Sequence, residues 1–351
     1  MIRQNFNADW TVEKGDGNSR MNSFLGNTQT KTVHLPYDAM IHEARTPDTK
    51  NGAQTGFYPG GEYIFQKHFT APQAWQGKPV SLVFEGVYQT ALVYLNGWLL
   101  TRNVNGYAEF TVEAGPYLKY GADNLLKVIA DNSLEPNSRW YTGSGIYRPV
   151  RLLVGNKVYL PQDTVRITTR EADEGFALLD VTAQVQSAST ITERVTLQQT
   201  ICREGTAVLT DRQNLLLQPG ESRTVSFRYC VDSPALWSPE NPNLYTSTMQ
   251  VLEGEEELDR EETSFGIRTL SIDAAHGVRI NGQTVKLRGA CIHHDNGILG
   301  AATLPDAEER RIRQLKEAGF NAIRSSHHPA GRALLDACDR YGVLVMDELS
   351  D

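Results

Sequence analysis

The sequence predicts a multidomain, mainly β protein in which two β-sandwiches precede a set of parallel βα units. The chain has 351 residues, whereas a typical domain has about 100 to 200. Short runs of alternating apolar and polar residues fill residues 62–268, separated by turn signals, which is typical of antiparallel sandwiches. After Gly266 strand patterns alternate with helical ones, which indicates parallel βαβ units.

The first predicted domain, residues 1–157, is an antiparallel sandwich. The stretch SLVFEGVYQTALVYLNGWLL contains two alternating strands, and the dipeptide Asn96-Gly97 supplies the positive φ angles of a type I′ hairpin. Further strands are predicted at 107–112 and 124–131, where alternate residues are apolar.

The second predicted domain, residues 158–268, contains five further strand-like runs. Its length of about 110 residues and its turns at Gly175, Gly220 and Gly254 fit an immunoglobulin-like sandwich. The segment PALWSPENPNLY lies between two of the runs and is interpreted as a rigid crossover.

The third predicted region, residues 269–351, opens with a second Asn-Gly hairpin at 278–287 and continues with the strand LRGACIHH. A helix is predicted over 306–318, with Asp306 as N-cap and Glu309 completing a capping box. The strand NAIRSSHHP, the helix GRALLDACDRYG and the strand VLVMDE follow. Leu287, Ile323 and Val345 are expected to lie on the inward face of the resulting parallel sheet.

Composition excludes several classes of protein. The net charge of −8 without a long basic run argues against a nucleic-acid partner. No stretch approaches the roughly 18 continuous apolar residues of a membrane helix, and the N-terminus lacks the apolar core of a secretory signal. We therefore expect a cytoplasmic protein with no membrane partner.

The four cysteines, Cys202, Cys230, Cys291 and Cys338, lack CxxC spacing. They are predicted to be reduced, buried and structural. Pairing of Cys202 with Cys230 across the second sandwich is the alternative.

Polar clusters stand at the ends of all three predicted parallel strands: His293-His294-Asp295, Ser326-His327-His328 and Asp347-Glu348. The carboxyl ends of parallel strands converge on one face, so we expect a site there. A metal site with two histidines and an acid from different strands is one possibility, although adjacent residues such as His293 and His294 point to opposite sides of a strand. Imidazoles and carboxylates also suit hydrogen bonding to sugar hydroxyls.

Several stretches together resemble glycoside hydrolase family 2, the superfamily of β-galactosidases, β-glucuronidases and β-mannosidases. They are RGACIHHDNGILGAA, IRSSHHPA and VLVMDE in the third region, NSRWYTGSGIYRPVRL and QTALVYLNGWLL in the first domain, and LWSPENPNLY in the second. The resemblance implies a jelly-roll β-sandwich, an immunoglobulin-like β-sandwich and then the first three βα units of a (β/α)8 TIM barrel.

The resemblance also implies roles for individual residues. The positions expected to bind substrate are His293, His327, Asp347, Arg139, Trp140 and Arg324. The first three would line the pocket for the glycone sugar, and Arg139 and Trp140 would reach it from a loop of the first domain. Arg324 resembles an arginine near the nucleophile, and an internal salt bridge in the barrel is an equal alternative. Well-known galactosidases and glucuronidases carry Asp at the position of Arg139, which leaves the sugar open.

A retaining glycosidase needs two carboxylates about 5 Å apart. The resemblance places both on later barrel strands as glutamates, one following an Asn, and no Asn-Glu pair follows Glu348. We expect the N-terminal portion of a β-galactosidase whose catalytic residues lie beyond Asp351, so that this chain alone is inactive. A non-catalytic carbohydrate-binding or assembly module is the alternative.

The expected partners are a carbohydrate substrate and further copies of the chain in a homo-oligomer. We expect no cofactor in this piece, and the resemblance leaves a divalent or monovalent metal open for a longer enzyme.

Overall fold

The computed structural model describes residues 1–15, 30–134 and 137–349. Their backbone is mainly β, and the helices concentrate near the C-terminus. No helix in these ranges is long and apolar enough to cross a membrane. The predicted fold class, two sandwiches followed by a partial barrel, is confirmed.

The first sandwich consists of a four-stranded and a six-stranded antiparallel sheet. Its strands are β1 (Ile2–Asn5), β2 (Trp10–Lys14), β3 (Lys31–Val33), β4 (Gly61–Thr70), β5 (Val80–Phe84), β6 (Thr90–Leu95), β7 (Trp98–Asn103), β8 (Phe110–Glu113), β9 (Asp123–Asn132) and β10 (Val150–Val154). The sheet orders are β1-β10-β5-β8 and β3-β2-β4-β9-β6-β7. Alternate residues such as Leu82, Phe84 and Val93 are fully buried, so the two facing sheets enclose the core.

The turns of this sandwich follow their local chemistry. Asn96 and Gly97 have φ angles of 52° and 89°, and they join β6 to β7 as the predicted type I′ hairpin. The strand expected at 107–112 begins later, at Phe110, because the side chain of Asn105 accepts the N–H groups of Tyr107 and Ala108 in a turn.

The second sandwich has two four-stranded antiparallel sheets. Its strands are β11 (Val158–Tyr159), β12 (Arg166–Ala172), β13 (Phe176–Ser187), β14 (Glu193–Arg203), β15 (Thr206–Leu217), β16 (Ser222–Asp232), β17 (Tyr245–Glu253) and β18 (Glu256–Phe265). In one sheet β13 pairs with β11, β12 and β16, and the other has the order β15-β14-β17-β18. Residues 233–244 form the predicted crossover, in which buried Trp237 donates its indole N–H to the carbonyl of Asp339.

The third region contains an antiparallel ribbon and a parallel βαβαβ unit. The ribbon strands are β19 (Leu270–Asp273), β20 (Gly277–Ile280) and β21 (Gln283–Thr284). The parallel unit consists of β22 (Gly289–Ile292), α1 (Pro305–Glu317), β23 (Ala322–Ser325), α2 (Arg332–Tyr341) and β24 (Leu344–Met346). Strand β19 was not anticipated from the sequence, whereas the order of the parallel unit was.

The start of α1 differs from the prediction. Leu304 is the N-cap residue and no side chain caps the helix, so the capping box with Asp306 and Glu309 is wrong. Pro305 occupies the first helical position, where its fixed φ fits and its missing N–H would have no partner. Asp306 lies in the first turn, where its negative charge is favourable beside the helix dipole.

The inward face assigned to the parallel sheet is also wrong. Ile323 is only 2% exposed and packs with Ile312 of α1 and Leu334 of α2, and Val345 packs against the same cluster. Leu287 precedes β22 and is exposed. Ile323 and Val345 therefore face the helices, and their neighbours in sequence face the other side of the sheet.

The cysteines are free, but most are not buried as predicted. Only Cys338 is buried, Cys202 is half-buried, and Cys230 and Cys291 are exposed. Cys230 lies on the solvent-facing side of β16, where exposed and buried residues alternate. Val225, Phe227, Tyr229 and Val231 form the buried face of that strand, so the alternation places this thiol on the opposite face.

Candidate functional site

The carboxyl end of the parallel sheet and the loops of the first sandwich form an open cleft of about 530 Å³. His327, from the loop after β23, lies on one side. The first sandwich supplies most of the rest of the wall, including Tyr88, Tyr107, Asn137, Arg139 and Trp140. The cleft is therefore a site between two domains.

Trp140 is the link between the two walls. Its indole stacks on the His293 ring, with the ring centroids 5.2 Å apart and an interplanar angle of 12°. The His327 ring lies 5.3 Å from the same indole. The indole N–H donates to the hydroxyl of Tyr107 at 3.3 Å. A half-buried aromatic surface is thus fixed between imidazoles of the barrel and a tyrosine of the sandwich.

Glu348 joins Arg324 and His327 in a charged network. Its Oε1 accepts the Nε–H of Arg324 at 2.6 Å, and its Oε2 lies 2.9 Å from Nδ1 of His327. The hydrogen bond from Arg324 is the main cause that lowers the pKa of Glu348, so the carboxylate is ionised at neutral pH. Arg324 is thus in the internal salt bridge that the sequence left as an alternative.

The partners of His293 and His327 fix which ring nitrogen carries the proton. Nδ1 of His293 lies 2.6 Å from the carbonyl oxygen of Ser326, an acceptor, so Nδ1–H must donate. Nδ1 of His327 likewise donates to the carboxylate of Glu348. A neutral ring that donates from Nδ1 has Nε2 as a hydrogen-bond acceptor, which can bind a hydroxyl group.

Behind this pair, His294 and His328 form a second, buried imidazole pair. Nε2 of His294 lies 2.8 Å from the carbonyl oxygen of Thr142, and its Nδ1 lies 3.1 Å from Nε2 of His328. Burial lowers the pKa of His294 well below its usual value and lowers the pKa of His328 to about 4. Both rings are therefore neutral at neutral pH.

The structure brings five of the six expected residues to the cleft or to the contacts of its wall and places Asp347 elsewhere. Trp140, His293, His327 and Arg324 form the contacts described above. Arg139 is exposed and lines the cleft next to Trp140.

Asp347 lies apart from the cleft. Its side chain is exposed, and its Oδ1 accepts the backbone N–H of Ala330 at 2.9 Å, which ties β24 to the loop before α2. Its neighbour Glu348, to which the sequence assigned no substrate contact, bonds to Arg324 and His327 instead.

Sequence reasoning did not single out the tyrosines of the cleft. The rings of Tyr88 and Tyr107 lie 5.1 Å apart, and the Tyr88 hydroxyl donates to the side chain of Asn137 at 3.1 Å. The Asn105-Gly106 turn signal immediately before Tyr107 was a usable indication of an exposed loop aromatic. Within the described ranges, no cluster of three or more His, Cys, Asp or Glu residues is arranged to hold a metal ion.

Comparisons with known proteins agree with this arrangement along nearly the whole chain. Residues 10–176 match the glycosyl hydrolase 2 galactose-binding domain-like family, residues 158–268 match glycosyl hydrolases family 2, and residues 274–350 match the TIM barrel domain of that family.

Two curated relatives and one solved structure illustrate the similarity. The β-galactosidase BoGH2A of Bacteroides ovatus is 37% identical over 99% of this chain and 41% of its own length. A putative β-glucuronidase of Formosa agariphila is 32% identical over 100% of this chain and 33% of its own length. The crystal structure of a family 2 member from Bacteroides cellulosilyticus superposes with a TM-score of 0.94 at 35% identity, covering all of this chain and 46% of that one. The chain thus spans less than half of the length of these relatives.

Proposed function

Because the chain belongs to glycoside hydrolase family 2, we propose that it forms the sugar-binding portion of a retaining β-glycosidase, specifically a β-galactosidase. The specific sugar is supported by the name of BoGH2A, which is 37% identical over 99% of this chain. The expected reaction of the whole enzyme is hydrolysis of a terminal β-galactoside with retention of configuration.

The observation that carries the proposal is the arrangement of Trp140 between His293 and His327. One part of the indole is covered by the His293 ring, and the remainder borders the cleft. An aromatic surface binds the apolar face of a sugar ring, while acceptors at its edge bind the hydroxyls. Nε2 of His327, which lines the cleft, supplies one of these acceptors.

The network around Glu348 holds one of these acceptors in place. Glu348 accepts the proton on Nδ1 of His327, which keeps Nε2 of that ring free for substrate. Arg324 neutralises the carboxylate and keeps it from competing for the sugar hydroxyls. We therefore assign Arg324 and Glu348 to positioning His327.

The catalytic carboxylates are proposed to lie in the part of the family's barrel that this chain does not cover. No Asp or Glu is found among the described residues that line the cleft. Retention requires an acid/base and a nucleophile about 5 Å apart, acting through a glycosyl-enzyme intermediate. The chain is therefore proposed to bind sugar without cleaving it.

Arg139 favours β-glucuronidase as a second candidate activity. Its side chain lines the cleft beside Trp140, and a guanidinium group binds carboxylates such as that of a glucuronide. The 32% identity to a putative β-glucuronidase is consistent with this alternative.

Calorimetric titration of the chain with methyl β-galactoside and methyl β-glucuronide tests the proposal. We expect the galactoside to bind more tightly and Trp140→Ala to weaken its binding about fivefold, because a lost aromatic contact costs about 1 kcal/mol. Trp98→Ala is the matched control, since Trp98 is 66% exposed and is not among the residues that line the cleft.

Tighter binding of the glucuronide, and its loss in Arg139→Gln, would favour the second candidate instead. Equal effects of Trp140→Ala and Trp98→Ala would show that the cleft is not the sugar site. Nitrophenyl β-galactoside should not be hydrolysed by the chain, and turnover that disappears in His327→Ala would contradict the assignment of the catalytic carboxylates.

A further inference from the structure

The first sandwich contacts the barrel directly behind Trp140, through the backbone of Thr142 and the side chain of His294. The imidazole of His294 is 6% exposed, and its Nε2 lies 2.8 Å from the Thr142 carbonyl oxygen. We propose that His294 is a positioning residue whose hydrogen bond to Thr142 sets the stacking of Trp140 on His293. Its consequence for sugar binding rests on the proposed function, whereas the positioning itself does not.

The hydrogen bond can set the stacking of Trp140 on His293 because its two residues lie next to that pair in the chain. Thr142 lies two residues after Trp140, and His294 follows His293 directly. One contact therefore joins two short segments, each of which carries one member of the stacked pair. Since a hydrogen bond restrains its two groups to within a few tenths of an ångström, it fixes the distance between the indole and the imidazole.

The rings on both sides of His294 extend the contact to the same tryptophan. The carbonyl of Thr142 can only accept, so Nε2 of His294 carries the proton and Nδ1 is bare. Nδ1 of His294 lies 3.1 Å from Nε2 of His328, whose own Nδ1 lies 3.2 Å from the carbonyl oxygen of Pro329. The His328 ring stacks on Tyr107 with centroids 4.3 Å apart, and the hydroxyl of Tyr107 accepts the indole N–H of Trp140. His294 thus contacts the loop of Trp140 through Thr142, and His328 contacts the tyrosine that accepts the indole N–H of Trp140.

The charges around the pair favour its neutral form. Arg148 is buried beside it and donates to the carbonyls of Tyr107 and Pro329. Arg311 of α1 also borders the small cavity at the pair, together with the carboxylate of Glu308. A proton added to the pair would place a further positive charge near the guanidinium group of Arg148, where little water can screen it.

The remaining supports of the loop come from elsewhere and do not set the same distance. The hydroxyl of Tyr141 and the N–H of Ser144 both bond to Asp38, which belongs to the first sandwich itself. Asp38 also accepts the N–H of Ala301 in the third region, but this contact does not involve the segment that carries His293. Of the hydrogen bonds that Thr142 makes within the described part of the chain, the one with His294 joins the loop to the segment that carries His293.

The test uses ¹⁹F NMR of the whole chain labelled with 5-fluorotryptophan. The five tryptophans give five resonances, and Trp140→Phe assigns the one of interest. His294→Gln places an amide N–H where Nε2 stood, whereas His294→Asn has polar atoms only where Nδ1 stood. We expect the Trp140 resonance to shift and broaden in His294→Asn, to keep its parent position in His294→Gln, and to be unchanged in the exposed control His276→Asn.

Sugar affinity is expected to follow the same order, with a loss of about fivefold or more in His294→Asn and less than twofold in His294→Gln, since a neutral hydrogen bond contributes about 1 kcal/mol. An unchanged Trp140 resonance in His294→Asn, or equal shifts in both variants, would overturn the proposal. If the parent chain binds no sugar, the proposed function fails and the NMR comparison still decides the positioning role.

A measurement on the parent chain covers the case in which the variants do not fold. The ¹⁵N spectrum of histidine at pH 7 should show His294 as the neutral tautomer with its proton on Nε2. A proton on Nδ1 of His294 would rule out the hydrogen bond to Thr142 and overturn the proposal.

Discussion

Replacing Asp38 with asparagine is expected to loosen the loop that carries Trp140 and its contact with the barrel. Asp38 is 1% exposed and sits where three segments meet. Its Oδ1 accepts the backbone N–H groups of Met40 and Ser144, both at 3.0 Å, and its Oδ2 accepts the N–H of Ala301 at 2.8 Å and the hydroxyl of Tyr141 at 2.6 Å. The carboxylate thus has four donors and needs both of its oxygens.

The magnitude follows from what asparagine can still accept. Its carbonyl oxygen replaces one carboxylate oxygen, while its NH₂ group faces two former donors. The Tyr141 hydroxyl can rotate and accept from that NH₂, but the N–H of Ala301 cannot and is left unpaired. Hydrogen bonds to a charged group contribute about 1.5 to 3 kcal/mol each, and an unpaired buried donor costs about 1 to 3 kcal/mol. We expect a total loss of about 3 kcal/mol at this junction, after the partial compensation by Tyr141.

Amide hydrogen exchange measures this loss at the site itself. A loss of about 3 kcal/mol corresponds to roughly 150-fold faster exchange at Ala301 and Ser144, provided that both exchange through local opening. Asp123→Asn is the control, since Asp123 is exposed and paired only with the exposed ring of His68 among the contacts described. A change of less than threefold in Asp38→Asn would refute the view that the carboxylate holds the junction together.

Three further predictions concern ionisation and reactivity. Burial lowers the pKa of His328 to about 4, so as the pH falls below 6.5 its imidazole is protonated in the unfolded chain before it is protonated in the folded one. The free energy of unfolding should therefore fall by about 2 kcal/mol between neutral pH and pH 5 on account of this residue. Urea titrations at several pH values measure this change. Cys338 should react with Ellman's reagent only after unfolding, because burial raises its pKa to about 12, whereas exposed Cys291 should react in the native chain. In Arg324→Met the ¹³C titration of Glu348 should move to higher pH, because its lowered pKa depends first on that hydrogen bond; an unmoved titration would contradict the network.

The fold could be predicted from the sequence because its signals are local and periodic. Positive φ angles at Asn96-Gly97 require residues of just that kind, and the hairpin stands where they occur. The parallel unit was equally evident from the alternation of strands with helices. The direction of individual side chains was less accessible, since Ile323 and Arg324 lie on opposite faces of β23 and only the packing of the helices decides which face is covered.

The sequence predicted a site at the strand ends, and the structure places His293 and His327 against Trp140 there, but the sequence did not distinguish Glu348 from Asp347. Asp347 and Glu348 are both carboxylates just after β24, and the chain has already left the strand at Met346, so strand alternation no longer applies. Arg324 decides between them: its guanidinium lies within 2.6 Å of Glu348, and this contact comes from a neighbouring strand. A contact between strands cannot be deduced from the spacing within one of them.

The sequence could not show that the first sandwich contributes a wall of the cleft, because this wall depends on contacts between residues far apart in the chain. Tyr107 and His328 are more than 200 residues apart, yet their rings lie 4.3 Å from each other, and Trp140 meets His293 in the same way. No local sequence pattern indicates such a contact, because each residue is compatible with its own loop whether or not the partner residue is present. Since the cleft exists only where both domains meet, changes at their junction should alter sugar binding even when they leave every cleft-lining side chain in place. The buried contact between His294 and Thr142 is where that dependence should be strongest.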